Sequence, residues 1–251
     1  MNDTPAVAID LKDIDFSWPG HGSKSVGGEA TKPVLFQSLN FSAERGEKVF
    51  LHGPSGSGKS TLLSLICGTI EPDRGQVNII GENLADKTWR QRDRFRAECI
   101  GIIFQQFNLV PYLTALENVL VPMSFALVRR ERAGGKVANT KQTATALLDR
   151  VGLSAAQLSN RSVSELSVGQ QQRVAAARAL IGKPEIIIAD EPTSSLDSDK
   201  RSDFMALLFE EVERNGSSLV FVSHDMSLQS GFDQTIALSD LGTSNGLGDE
   251  K

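Results

Sequence analysis

No stretch constrains this chain more than Gly53-Pro54-Ser55-Gly56-Ser57-Gly58-Lys59-Ser60-Thr61. Its G-x-x-x-x-G-K-S spacing lets the backbone turn inward, because glycine accepts dihedrals that a Cβ forbids, and successive N–H groups can then converge on one anion. Lys59 adds a point charge. Before it, Lys48-Val49-Phe50-Leu51-His52 is the short apolar run of a buried parallel strand. After it, a helix is expected from Ser60 to about Cys67, with Leu62, Leu63, Leu65 and Ile66 inside and Gly68 as the stop. Strand, glycine loop and helix N-terminus in that order read as a phosphate loop rather than a glycine-serine surface loop, and the expected ligand is ATP or GTP with magnesium.

A chain of 251 residues, 40% of them hydrophobic, can bury a large core. Its formal net charge of -5 argues against a surface that attracts nucleic acid, and no nucleic-acid partner is expected. Cys67 and Cys99 have no metal-ligand spacing and read as reduced packing residues. The N-terminus shows no basic segment followed by an apolar one, and no run of residues is long enough to span a bilayer, so the expected location is cytoplasmic.

Along the chain, Val7, Ile9 and Leu11, and later Leu39 and Phe41, alternate as half-buried antiparallel strands do. Pro19 to Lys32 reads as a solvated insert without an assigned role, and Phe16 and Trp18 just before it as strand-end aromatics placed by position for packing. Glu71-Pro72-Asp73-Arg74-Gly75 is a turn, Gln76 to Ile80 a strand, and the basic run Arg90 to Arg96 a solvated helix face. Ile100 to Phe104 is a buried strand that delivers Gln105 to its C-terminal rim, where ligands of open α/β sheets bind. Thr114-x-x-Glu117 has capping-box spacing, Arg129 to Thr140 is expected to be a loop between helices, and Ala144 to Val151 an amphipathic helix.

Glu165 to Arg173 leads into an alanine-rich helix, which places Ser167 and Gly169 at a helix N-terminus and so at a second possible anion site. Ile186-Ile187-Ile188-Ala189-Asp190-Glu191 is a β-branched run ending in two carboxylates at a strand rim. There Asp190 suits a magnesium ion shared with the Ser60 hydroxyl, and Glu191 suits polarising a water for attack on a γ-phosphate. Leu219 to Val222 is a further buried strand, ending in Ser223-His224-Asp225 at the same kind of rim.

Over roughly residues 6 to 240 the chain resembles the ATP-binding subunits of ABC transporters. Gly53 to Thr61 (with Pro54, Ser55, Gly56, Ser57, Gly58, Lys59 and Ser60) resembles the Walker A loop, Gln105 the Q-loop glutamine, and Leu166 to Gln170 the signature motif. Asp190 and Glu191 close a Walker B strand, Ser194-Ser195-Leu196-Asp197 resembles the D-loop, and His224 the switch histidine. Trp18 takes the place of the adenine-stacking A-loop aromatic, and Val168 stands where the family's signature usually has glycine, a β-branched side chain that can hinder close backbone approach. Within this family Phe104 to Pro111 and Leu113 to Val119 look most like the macrolide-exporter and lipoprotein-releasing (MacB/LolD-like) branch.

The resemblance implies an α/β P-loop NTPase with a RecA-like, mostly parallel sheet, an N-terminal antiparallel β subdomain and an inserted helical subdomain. It implies a single ABC ATP-binding domain over 1–251, its core and β subdomain in 6–104 and 181–240, its helical subdomain in 105–180, and a flexible tail over 241–251. It implies ATP and Mg2+ as ligands, with Ser60, Gln105 and Asp190 on the metal, Glu191, His224 and Gln105 in hydrolysis, and Trp18, the loop 53–61, Ser167, Gly169 and Gln170 on the nucleotide. The partners it implies are a second copy of the chain, head to tail around two ATP, and a membrane permease of the FtsX-like/MacB type reached from the cytoplasmic face of the inner membrane. The other readings are a non-transport ABC ATPase, which would bring sustained heptads or a second cassette, and a phosphate-loop kinase, which has no use for Leu166 to Arg173.

Overall fold

In a computed structural model the described residues are 6–18, 34–154, 158 and 161–242. The insert Pro19 to Lys32 and nearly all of the tail 241–251 lie outside them. Two compact units share the chain, the first from 1–44, 49–92 and 222–251, the second from 45–48 and 93–221.

The first unit opens with β1 (Val7–Ser17) and β2 (Val34–Glu44), antiparallel neighbours in a sheet that continues through β4 (Arg74–Ile79) to the short β5 (Glu82–Asn83). The β1–β2 ladder pairs Leu11 with Phe41 and Ile14 with Leu39, and its register shifts between those pairs. Asp13 at that shift and Ser38 at the next one, between the Ile14 and Phe16 pairs, have φ near +50°, at 50° and 51°. Each is held by a side chain of the opposite strand: Asp13 N–H donates to Asn40 Oδ1 at 3.1 Å, and Ser38 N–H to Asp15 Oδ1 at 2.8 Å. Alternation then sends Ile9, Leu11, Ile14, Leu39 and Phe41 into the core.

The same unit holds most of β3 (Lys48–His52), parallel to β9 (Gln234–Ala237) with Leu51 opposite Ile236. Val49, Phe50 and Leu51 are all buried, as an unbroken apolar run requires of a parallel strand covered on both faces. Helix α1 (Lys59–Ile66) follows the loop and buries Leu62, Leu63, Leu65 and Ile66. Gly68, at φ 63°, ends it as the sequence leads one to expect.

In the second unit β6 (Ile100–Ile103) runs parallel to β7 (Ile186–Asp190), with Ile103 opposite Ala189, and β8 (Ser218–Val222) follows β7 in the strand order. Around them lie α2 (Trp89–Cys99, begun in the first unit), α3 (Ala115–Leu120), α4 (Leu127–Arg132), α5 (Val137–Arg150), α6 (Val168–Leu180) and α7 (Ser198–Asn215). The capping box at Thr114 and Glu117 is formed in both directions.

One expectation fails here. Arg129 to Thr140 is not a loop: Arg129 belongs to α4, Val137 begins α5, and only residues 133–136 connect them. The glycine pair Gly134-Gly135, both left-handed at φ 114° and 70°, makes that turn. Arg129 explains why so short a helix is stable, because its buried guanidinium donates to the carbonyls of Ile181 at 2.6 Å, Ala179 at 2.7 Å and Ile100 at 3.4 Å. Burial lowers its pKa to about 10, so it remains a cation at neutral pH.

Candidate functional site

The phosphate loop leaves the buried end of β3 and enters α1 through Gly58, which caps the helix at φ 104°. A Cβ on Gly58 would come within 2.8 Å of Phe36 Cζ, so both the dihedral and the space demand glycine. Gly56 is also left-handed, at φ 78°. The Lys59 ammonium reaches back across the loop and donates to the carbonyls of Gly53 at 2.7 Å and Pro54 at 2.8 Å. Ser57 Oγ is buried and has no hydrogen-bond partner. An orphaned hydroxyl in the same loop as a lysine ammonium, leading into a helix N-terminus, is a donor set that fits a phosphate oxygen.

Two further expected residues share this unit. Trp18 is 44% exposed, so it is not the core residue its position suggests, and Phe16 holds it edge-on at 5.2 Å between ring centroids. An indole exposed to that degree can take a flat partner. His224 follows β8 as an exposed residue, and the buried Ser223 before it accepts from Asp225 N–H at 3.1 Å while its own N–H donates to Leu51 O at 3.2 Å.

The second unit presents the acidic rim. β7 ends at Asp190, and Glu191 turns sharply out of it with φ 47°, a conformation that costs a non-glycine residue about 1 kcal/mol or more and re-aims its carboxylate. Asp197 caps α7 by accepting from Lys200 N–H at 3.0 Å. The side-chain hydrogen bond from Lys200 holds its carboxyl below the usual aspartate range.

Helix α6 starts at Ser167, whose Oγ accepts from Gln170 N–H while Gln170 Oε1 accepts from Ser167 N–H at 3.0 Å. The sequence signal for this reciprocal box is the S-x-x-Q spacing of Ser167 and Gln170. Deeper in the helix, Gln172 is fully buried and donates to Pro192 O at 2.7 Å, which ties α6 to the segment after Glu191. Val168 is 47% exposed, so its branched side chain points away from the packing of its own chain. A Cβ on Gly169 would meet nothing nearer than Leu196 Cδ2 and Lys200 Cδ at 3.9 Å. Among the described residues nothing requires a glycine there.

Gln105 is exposed just past β6, and the loop after it carries two left-handed residues, Phe107 at φ 59° and Asn108 at φ 48°. Asn118, fully buried in α3, steadies the following turn by donating to Val110 O at 3.1 Å and Thr114 O at 3.1 Å. Beside this loop lies a groove of about 440 Å3 whose lining includes Phe104, Asn108, Phe125, Arg129 and Arg178. Phe125 is 56% exposed, and no spacing rule marks it or the groove in the sequence.

Each unit thus holds one share of the expected residues: Trp18, the loop 53–61 and His224 in the first, and Gln105, Ser167, Gly169, Gln170, Asp190 and Glu191 in the second. No helix among the described residues is long and apolar enough to cross a membrane.

The family model described as ABC transporter matches residues 36–194. The lipoprotein-releasing system ATP-binding protein LolD of Bacteroides fragilis is 39% identical over 207 residues, covering 82% of this chain and 91% of LolD. The macrolide export ATP-binding/permease protein MacB of Escherichia coli is 41% identical over 213 residues, covering 85% of this chain and 31% of MacB. Among solved structures, the dimeric ATP-binding cassette MJ0796 in a post-hydrolysis state with ADP and Pi matches with a TM-score of 0.77 at 34% identity, covering 96% of this chain and 99% of that one.

Proposed function

We propose, from the premise that this chain belongs to the ABC transporter family and is an ATP-binding, ATP-hydrolysing subunit, that it works as a head-to-tail pair around two ATP and drives a separate permease of the FtsX-like/MacB type. The observation that carries this reading is the N-terminus of α6. It is fully capped, exposed, and furnished with a glycine whose smallness no neighbour in its own chain uses. A second chain's phosphate is the partner that such an end suits. Relatives named for lipoprotein release and macrolide export favour transport over a non-transport ATPase.

In each site the backbone N–H groups of 53–61 and the Lys59 ammonium bind the phosphates, and Trp18 stacks its exposed face on adenine. Ser167, Gly169 and Gln170 of the second chain close on the same γ-phosphate. The Ser60 hydroxyl, the Gln105 amide oxygen and the Asp190 carboxylate are hard oxygen donors of the kind Mg2+ takes. When bound, Mg2+ neutralises charge that develops on the phosphate oxygens. Glu191 accepts a proton from water as its oxygen bonds to the γ-phosphorus and the bond to the ADP oxygen breaks, and His224 donates a hydrogen bond to the departing phosphate.

Residues 105–180 act as the helical subdomain against the core of 6–104 and 181–240. The groove beside Phe104 and Phe125 suits a coupling segment of the permease, which holds the pair at the cytoplasmic face of the inner membrane. The test is retention of partners by Glu191→Gln in ATP and magnesium from detergent-solubilised membranes. An integral membrane permease is the expected companion; recovery of soluble proteins alone would contradict the reading.

A further inference from the structure

The loop that follows Gln105 is held by a residue to which the hydrolytic roles assign nothing. Arg178, in the last turn of α6, forks over two successive carbonyls: Nη2 donates to Phe107 O and Nη1 to Asn108 O, both at 2.6 Å. Those two residues are the left-handed pair, a backbone that L side chains rarely adopt and that surrounding contacts must over-determine. A planar guanidinium spans neighbouring carbonyls with two donors in a rigid fork, so it fixes their direction more tightly than a freely rotating ammonium would. Burial lowers the pKa of Arg178, and among the described residues its guanidinium donates to this loop alone.

Arg178 itself stands on a fixed base. Its own carbonyl accepts from Arg129 Nη2 at 3.3 Å, and the next carbonyl, Ala179 O, accepts from the same nitrogen at 2.7 Å. Ala179 O also lies where a Cβ on Gly101 would be 2.2 Å away, so the helix end is pressed against β6. β6 ends at Ile103, paired in register with Ala189 of β7. Gln105 therefore sits in an arch of residues 104–106, one foot on the end of β6 and the other clamped by Arg178. Phe107 N–H closes the arch by donating to Phe104 O at 3.0 Å.

We infer that Arg178 is a positioning residue for Gln105: it fixes the far foot of that arch, and through it the direction in which the glutamine amide is presented to the nucleotide. The inference rests on the reading of Gln105 as a contributor to hydrolysis. A residue that positions another loses its value once the other is gone, whereas one that only stabilises the fold does not.

The experiment is a double-mutant cycle on single-turnover hydrolysis of labelled ATP, with magnesium and protein in excess, over Arg178→Ala, Gln105→Ala and the pair. Arg178→Ala is expected to slow hydrolysis about tenfold while ATP affinity stays within about twofold. In the Gln105→Ala background the same change is expected to cost less than about twofold. Arg178→Lys should recover part of the rate, and it replaces alanine in the cycle, with the same expectation, if the alanine variant does not fold. Multiplicative losses in the pair, or a wild-type rate for Arg178→Ala, overturn the inference while leaving Gln105 in its role. A wild-type rate for Gln105→Ala overturns that role and the inference with it.

Discussion

The phosphate loop and the N-terminus of α6 are both helix starts that suit an anion, yet they are built in opposite ways. In the loop the glycine and the lysine have their reasons within the same chain: Gly58 is forced by its dihedral and by Phe36, and Lys59 is bridged to the carbonyls of Gly53 and Pro54. At α6 the capping box is satisfied, but a Cβ on Gly169 would make only ordinary contact, at 3.9 Å, and Val168 is 47% exposed. A position that only glycine can fill has a local cause; a glycine that its own neighbours do not demand leaves room for a partner. On the proposed reading the first site belongs to one chain and the second to a pair.

Substitutions can break this contrast or sharpen it. The largest effect is expected from Glu191→Gln, about a thousandfold slower hydrolysis with ATP binding intact, read by single-turnover kinetics. Ser167→Arg should slow hydrolysis about a hundredfold while leaving the ATP affinity of the monomer unchanged by equilibrium titration. A fall in monomer affinity would place Ser167 in its own chain's site and abolish the contrast. Lys59→Ala should do the reverse of Ser167→Arg, weakening ATP binding by the monomer about 50-fold, as the loss of a charge-assisted bond to phosphate would.

The two glycines separate the regions by stability alone. Gly58→Ala should destabilise the protein by about 2 kcal/mol in thermal melting, because the alanine must hold a left-handed dihedral against Phe36. Gly169→Ala should leave melting unchanged or raise it slightly, as alanine in a helix does, while slowing hydrolysis.

The elements that carry the candidate residues are legible in the sequence because their determinants are local. Loop spacing, the β-branched run before Asp190 and Glu191, and the capping pair Thr114 and Glu117 each need only a few adjacent residues. What escaped depends on distant ones. Arg129 looked like part of a polar connection because its acceptors, the carbonyls of Ile181, Ala179 and Ile100, lie far along the chain. The clamp of Arg178 on Phe107 and Asn108 is hidden for the same reason. Trp18 shows the opposite limit: its position suggests packing, but in the structure its ring stands perpendicular to that of Phe16 and the residue is 44% exposed.

The smallest expected effect concerns pH at the start of α7. Asp197, whose pKa is lowered from 3.8 by its hydrogen bond from Lys200, contributes stability that is fully present above 3.8 and is lost as pH falls through the lower folded value. The melting difference between wild type and Asp197→Ala should therefore be constant from neutral pH down to about pH 5 and shrink below it. A difference that persists in acid would mean that the cap acts through packing and not through its charge.

The most direct measurement is the mass in solution, by light scattering, of Glu191→Gln with ATP and magnesium, beside that of Glu191→Gln carrying Ser167→Arg. The expected result is a mass that doubles with ATP in the first and stays monomeric in the second, at equal ATP occupancy. A first variant that remains a monomer, or a dimer that survives Ser167→Arg, would contradict the claim that α6 completes a site in another chain.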